Sequence, residues 1–73
     1  MAEISELIAV SINGETMSVP DDITVAGLAA HLGLDARKIA VERNREIVPR
    51  STWQTARLSS GDILEIVHFI GGG

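Results

Sequence analysis

Residues 7–20 read LIAVSINGETMSVP, and the two letters in the middle of that stretch, Asn13-Gly14, decide how the rest is assembled. Leu7 to Ile12 is β-prone and alternating, with Ile8, Val10 and Ile12 on one face and smaller residues on most of the other. Asn and Gly both tolerate positive φ, so the dipeptide predicts a tight hairpin that returns the chain into ETMSVP. Met17 and Val19 then point to the same side as Val10. Pro20 has no N–H to give to a ladder and ends the second strand.

The period changes in DDITVAGLAAHLG, residues 21–33, where Val25, Leu28, Ala29 and Leu32 fall at helical spacing. Thr24 is the expected N-cap, Asp21 and Asp22 sit near the positive end of the helix dipole, and Gly33 stands where a left-handed C-terminal residue is wanted. Gly27 inside the helix costs about 1 kcal/mol relative to Ala. Either the helix tolerates that cost or another backbone passes close there.

From Ile39 the pattern is strand-like again: IAVERN, a turn near Asn44-Arg45, then EIVP. Arg50 to Leu58 is irregular. Trp53, the single tryptophan, needs a place to bury its ring and a partner for its N–H, most simply over the end of the sheet. SSGD supplies the next turn, and ILEIVHFI is the longest strand candidate. Glu65 marks its exposed side, which sends Leu64 and Ile66 inward and leaves Val67 and Phe69 on the outer face. Strands and one helix in this order make an α+β domain, the helix laid on one face of a small mixed sheet. If the first and last strands are parallel neighbours, the last one is central, and the tail leaves from a rigid base.

At 73 residues this is one domain, able to bury only about 60% of the surface of its unfolded chain. Cysteine is absent, so packing and backbone pairing alone must hold the fold, and a reducing, cytoplasmic setting fits. The start of the chain lacks the basic and apolar regions of a secretory signal, and no stretch approaches the roughly 20 apolar residues of a membrane span. The net charge is −4, with the six Lys and Arg scattered from Arg37 to Arg57, which argues against nucleic acid as a partner. No nucleotide, hydrolase or calcium-loop motif occurs, and the two histidines, His31 and His68, lie on different elements without a third ligand at metal spacing. Asp21-Asp22 is explained by helix capping, since adjacent side chains do not face each other in an extended chain. The Glu42–Arg45 run, ERNR, reads either as an anion contact or as the solvated, aggregation-resistant face of an edge strand. An enzyme is the class these residues fit least.

The final residues, HFIGGG, offer chemistry of another kind. Phe69 and Ile70 are large apolar residues beside a glycine run, a pairing that suits docking. Gly71, Gly72 and Gly73 have no Cβ, so they can enter a narrow channel and leave a carboxylate open to activation as an acyl adenylate. Three glycines alone are equally what a frayed terminus looks like.

Their company separates the two readings. The Asn13-Gly14 hairpin, TVAGLAAHLGL, the segment from Glu42 to Trp53 (ERN-x-x-I-V-P-R-x-x-W), the Gly61-Asp62 turn and EIVHFIGGG together resemble the ThiS family, the sulfur carriers of thiamin thiazole biosynthesis. The resemblance runs through most of the chain. It implies a ubiquitin-like β-grasp body over residues 1–70 with a flexible glycine tail over 71–73. It also implies that a ThiF-like enzyme, which itself binds ATP and magnesium, adenylates Gly73. Sulfur from a cysteine desulfurase pathway then gives a thiocarboxylate, whose sulfur the thiazole synthase ThiG accepts. The carrier binds no cofactor or metal of its own. Val67, Phe69, Ile70 and Arg50 are the candidate partner contacts. A third glycine departs from the family's usual terminal pair, so trimming would move the reactive residue to Gly72. Two rival readings share the adenylate chemistry: a small subunit of molybdopterin synthase, whose tail resembles PPVAGG more than VHFIGGG, and a ubiquitin-like protein modifier.

Overall fold

The computed structural model describes residues 6–69. Five strands form a single mixed sheet: β1 (Leu7–Ile12), β2 (Glu15–Pro20), β3 (Ile39–Arg43), β4 (Glu46–Ile47) and β5 (Ile63–His68), in the order β2-β1-β5-β3-β4. β1 and β5 are parallel, pairing Ser11 with Ile63 and Ile12 with Leu64, and every other pair is antiparallel. The last strand is therefore the middle one, as the parallel arrangement of first and last strands requires.

One α-helix, α1 (Val25–His31), covers one face of this sheet. Its buried residues Val25, Leu28 and Ala29 join Val10, Ile12, Val19, Ile39, Val41, Leu64 and Ile66 in one core, closed at the side by Trp53 and Leu58. Truncating a wholly buried member such as Leu64 to Ala would cost about 3 kcal/mol, a large part of the stability of so small a domain. The alternation read from the sequence holds on every long strand: Val10, Ile12, Val19, Leu64 and Ile66 face inward, while Ile63, Val67 and Phe69 face solvent.

The helix start is fully partnered. Thr24 is the N-cap, accepting from the Gly27 N–H at 3.0 Å, and the Leu28 N–H reaches the Thr24 carbonyl. The two remaining free donors, the Val25 and Ala26 N–H groups, find the Ala56 and Trp53 carbonyls. Asp21 and Asp22 lie in the turn before Thr24 and outside the first helical turn, so loop carbonyls take the place expected for the two carboxylates. Gly27 is explained by neither expectation of the sequence. A Cβ there would stand 3.1 Å from the Ile23 side chain and 3.3 Å from the Thr24 hydroxyl, so the residue makes room for side chains of the cap itself.

Short 3-10 turns at Ala36–Lys38 and Arg50–Thr52 complete the chain, the first of them not signalled by any periodicity. The EIVP strand is shorter than its letters suggest, since only Glu46 and Ile47 pair regularly before the Val48 N–H makes one last bond to the Val41 carbonyl.

Candidate functional site

The site to be tested is the far end of β5, because the candidate acyl group lies beyond it. Toward β3 the strand is paired to its end: Val67 stands opposite Ala40, His68 opposite Ile39, and the Phe69 N–H donates to the Lys38 carbonyl at 2.8 Å. Toward β1 the backbone ladder stops early, its last bond running from the Asn13 N–H to the Leu64 carbonyl. The Asn13 side chain continues where the backbone cannot. Its Oδ1 accepts from the Ile66 N–H at 2.8 Å and its Nδ2 donates to the Ile66 carbonyl at 3.2 Å.

Val67 and Phe69 are 55% and 56% exposed, on the sheet face away from the helix, with Ile63, Leu7 and Ile47 the other exposed large apolar residues among the described ones. Ile70, Gly71, Gly72 and Gly73 lie outside the described residues. Arg50 is exposed, but its guanidinium is turned back onto the body. Its guanidinium donates to the Ala36 carbonyl and, at 2.8 Å, to the Ile39 carbonyl, and it lies 4.6 Å from the centroid of the Trp53 ring. The Trp53 indole N–H donates to the Val48 carbonyl at 2.9 Å, so the ring is buried with its donor satisfied. Arg50 thus ties the start of β3 to the Pro49–Trp53 loop and keeps an exposed flank.

The opposite end of β5 holds a polar knot. Asp62 is 6% exposed, and one of its oxygens accepts from both the Ser59 N–H and Arg43 Nε, each at 2.8 Å. Its other oxygen takes a bond from Asn44 Nδ2 at 3.2 Å, while Asn44 Oδ1 accepts from the Ile63 N–H at 3.0 Å. Two residues of the ERNR run are therefore structural, and neither the anion contact nor the solvated edge describes them. The usable signal in the sequence was the asparagine at the turn, whose amide can serve a neighbouring backbone. Its partner, far along the chain, carries no periodic trace.

On the outer face Glu42 and Glu65 are cross-strand partners, and with Asn44, Arg45 and Ile63 they line a shallow hollow of about 350 Å³. No nucleophile and base converge there. Among the described residues no three His, Cys, Asp or Glu side chains gather in a way that could hold a metal ion, and no helix is long and apolar enough to cross a membrane. The Asp35 carboxyl is held well below its ordinary value, lowered to about 2 by the hydrogen bond from the Arg37 side chain and further by the Arg37 backbone N–H.

The ThiS family profile matches residues 2–73, almost the whole chain. The chain belongs to the ThiS family. The sulfur carrier protein ThiS of Bacillus subtilis is 36% identical over 63 residues, covering 85% of this chain and 96% of that protein. A thiazole synthase of Paramagnetospirillum magneticum is 53% identical over 62 residues, covering 85% of this chain but 19% of the synthase. The chain thus spans about a fifth of that enzyme, and likewise 20% of a thiazole synthase of Magnetococcus marinus at 42% identity over 64 residues, 88% of this chain. Among solved structures, ThiS of Geobacter metallireducens superposes with a TM-score of 0.78 at 28% identity, covering 90% of this chain and all of that one. A UBL domain from yeast, at a TM-score of 0.53 and 22% identity over 100% and 99% of the two chains, shares the fold alone. The ThiS architecture is the ubiquitin-like β-grasp seen here: a five-stranded mixed sheet with one helix on it.

Proposed function

We propose that the chain delivers sulfur on Gly73, as a thiocarboxylate, for the building of the thiazole ring. As a member of the ThiS family it is a sulfur carrier of thiamin biosynthesis and not an enzyme. The observation that carries the finer reading is the segment shared with both the Bacillus subtilis carrier and the much longer thiazole synthases. A carrier-like segment within a synthase supports ThiG as the acceptor of the sulfur.

In this reading a ThiF-like enzyme joins the Gly73 carboxylate to AMP, releasing pyrophosphate from ATP, with ATP and magnesium held by that enzyme. A persulfide charged by a cysteine desulfurase attacks the acyl adenylate and displaces AMP, and a thiol then reduces the resulting acyl disulfide, releasing the thiocarboxylate as the thiol and the donor sulfur form a disulfide. Residues 1–70 form the body and 71–73 the tail that reaches the partner's active site, in a cytoplasmic setting. The exposed Val67 and Phe69 supply apolar contacts for docking, with Ile70 continuing them, and Arg50 offers its exposed flank at the neighbouring loop.

Intact-mass spectrometry tests this directly. Incubation with ThiF, MgATP and a sulfide source should replace one oxygen by sulfur, and fragment ions should locate the change at Gly73 or, after trimming, at Gly72. An active ThiF preparation that leaves the mass unchanged would sink the carrier reading, and lysine conjugates in cell extract would favour the protein modifier.

A further inference from the structure

We propose that Asn13 is a positioning residue for the loading of the carrier: its carboxamide replaces the rung that β1 cannot supply and holds the last part of β5 in line. This rests on the sulfur-carrier reading for its consequence, though not for its geometry.

The need arises from the turn. β1 ends at Ile12 because Asn13 and Gly14 take φ of 51° and 87° and carry the backbone away into β2. Ile66, whose N–H and C=O point to the β1 side, would be left with an open donor and an open acceptor at the centre of the sheet. One side chain answers both demands, with Oδ1 on the Ile66 N–H and Nδ2 on the Ile66 carbonyl. Few residues could. The position must accept a left-handed backbone and project, on a short stem, one donor beside one acceptor. Gly meets the first demand only, Asp lacks the donor, and Gln has a longer stem and a weaker tolerance of positive φ. A hairpin turn by itself is content with Gly at this place, so the amide answers to β5 and not to the turn.

Its location gives it leverage. Among the described residues Asn13 makes the last hydrogen bonds to β5 from the β1 side, so Val67 to Phe69 rest on β3 alone on the other flank. Loss of the amide frees the strand on one side immediately before the segment that a partner must engage, and more chain has to be ordered at each encounter. A cost in ordering appears in KM for the carrier, while the chemistry in the partner's site and hence kcat stay as they are.

Asn13→Gly removes the amide without straining the backbone. The Phe69 amide, whose own acceptor at Lys38 is untouched, should exchange with deuterium about tenfold faster, while the Val41 amide is unchanged. With ThiF and MgATP, KM for the carrier should rise about tenfold at constant kcat. Asn13→Asp supplies a second measurement that does not depend on the first variant being well folded. Its neutral carboxyl can donate to the Ile66 carbonyl, so Phe69 protection should recover as pH falls through about 4, and Asn13→Gly should show no such recovery. Wild-type exchange at Phe69 in Asn13→Gly, an unchanged KM, or an Asp variant indifferent to pH would each overturn the proposal. Failure of the wild-type carrier to be loaded would instead strike the functional reading, and the exchange data would still decide what Asn13 does to the strand.

Discussion

The two hairpin turns, Asn13-Gly14 and Asn44-Arg45, are built alike and serve opposite ends of the same strand. Each opens with an asparagine at positive φ, 51° and 52°, and each aims its carboxamide at the β5 backbone. At the start of β5 the amide of Asn44 is one member of a network with Asp62, Arg43 and Ser59. At the far end the amide of Asn13 works with no such company among the described residues. Beyond its backbone ladders the strand is thus held by a buried charge and its partners at one end and by a single neutral side chain at the other.

The largest difference between the two ends is expected at Asp62. Asp62→Ala leaves the half-buried Arg43 guanidinium without its counter-ion, and stability should fall by about 3 kcal/mol, more than about 10 °C in melting temperature. A loss no larger than that of Asn13→Gly, measured by urea denaturation, would mean that the two ends are not differently anchored.

A smaller effect of opposite sign is expected at Arg45. Gly14 occupies the second turn position on the β1 side at no cost, but Arg45 holds φ of 72° with a Cβ. Arg45→Gly should stabilise the protein by about 0.5 kcal/mol, the relief of a left-handed backbone outweighing the extra freedom of glycine in the unfolded chain. An unchanged or lower urea midpoint would show that the Arg45 side chain compensates the strain.

The smallest effect concerns Asp35, which belongs to neither turn and serves as the exposed counterpart of Asp62. Its folded value of about 2 lies below the ordinary 3.8, so its contacts with Arg37 contribute above about pH 4 and are lost as pH falls through about 2. The pair is solvent-exposed and screened, so Asp35→Asn should leave the neutral-pH melting temperature within error and only flatten its decline below pH 4. A marked loss at pH 7 would contradict this.

The sequence was most legible where the signal is local. Asn13-Gly14 names its turn, Thr24 and Gly33 bracket their helix, and Glu65 beside Leu64 and Ile66 tells the two faces of β5 apart. The hidden part depends on groups that meet only after folding. Arg43 and Asp62 lie on opposite flanks of a hairpin and a long loop, and Arg50 seeks carbonyls that are ordinary backbone until the Ala36–Lys38 turn presents them. Periodicity describes which side of an element is apolar. It has no means of pairing an amide with a carbonyl in another strand. Val67 and Phe69 could be placed outward from the letters alone, but the residue that governs how firmly their strand is held, Asn13, looked like nothing more than a good turn former.

The side-by-side arrangement of β1 and β5 also bears on how the molecule is made. While the ribosome is still at work the early hairpin and the helix can take shape, yet the sheet has a vacancy down its middle until residues 63–68 have emerged, and long-range pairing of this sort is slow. A polypeptide cut short before that point lacks the strand that joins β1 to β3, so the pairs β1–β2 and β3–β4 are left without their common neighbour.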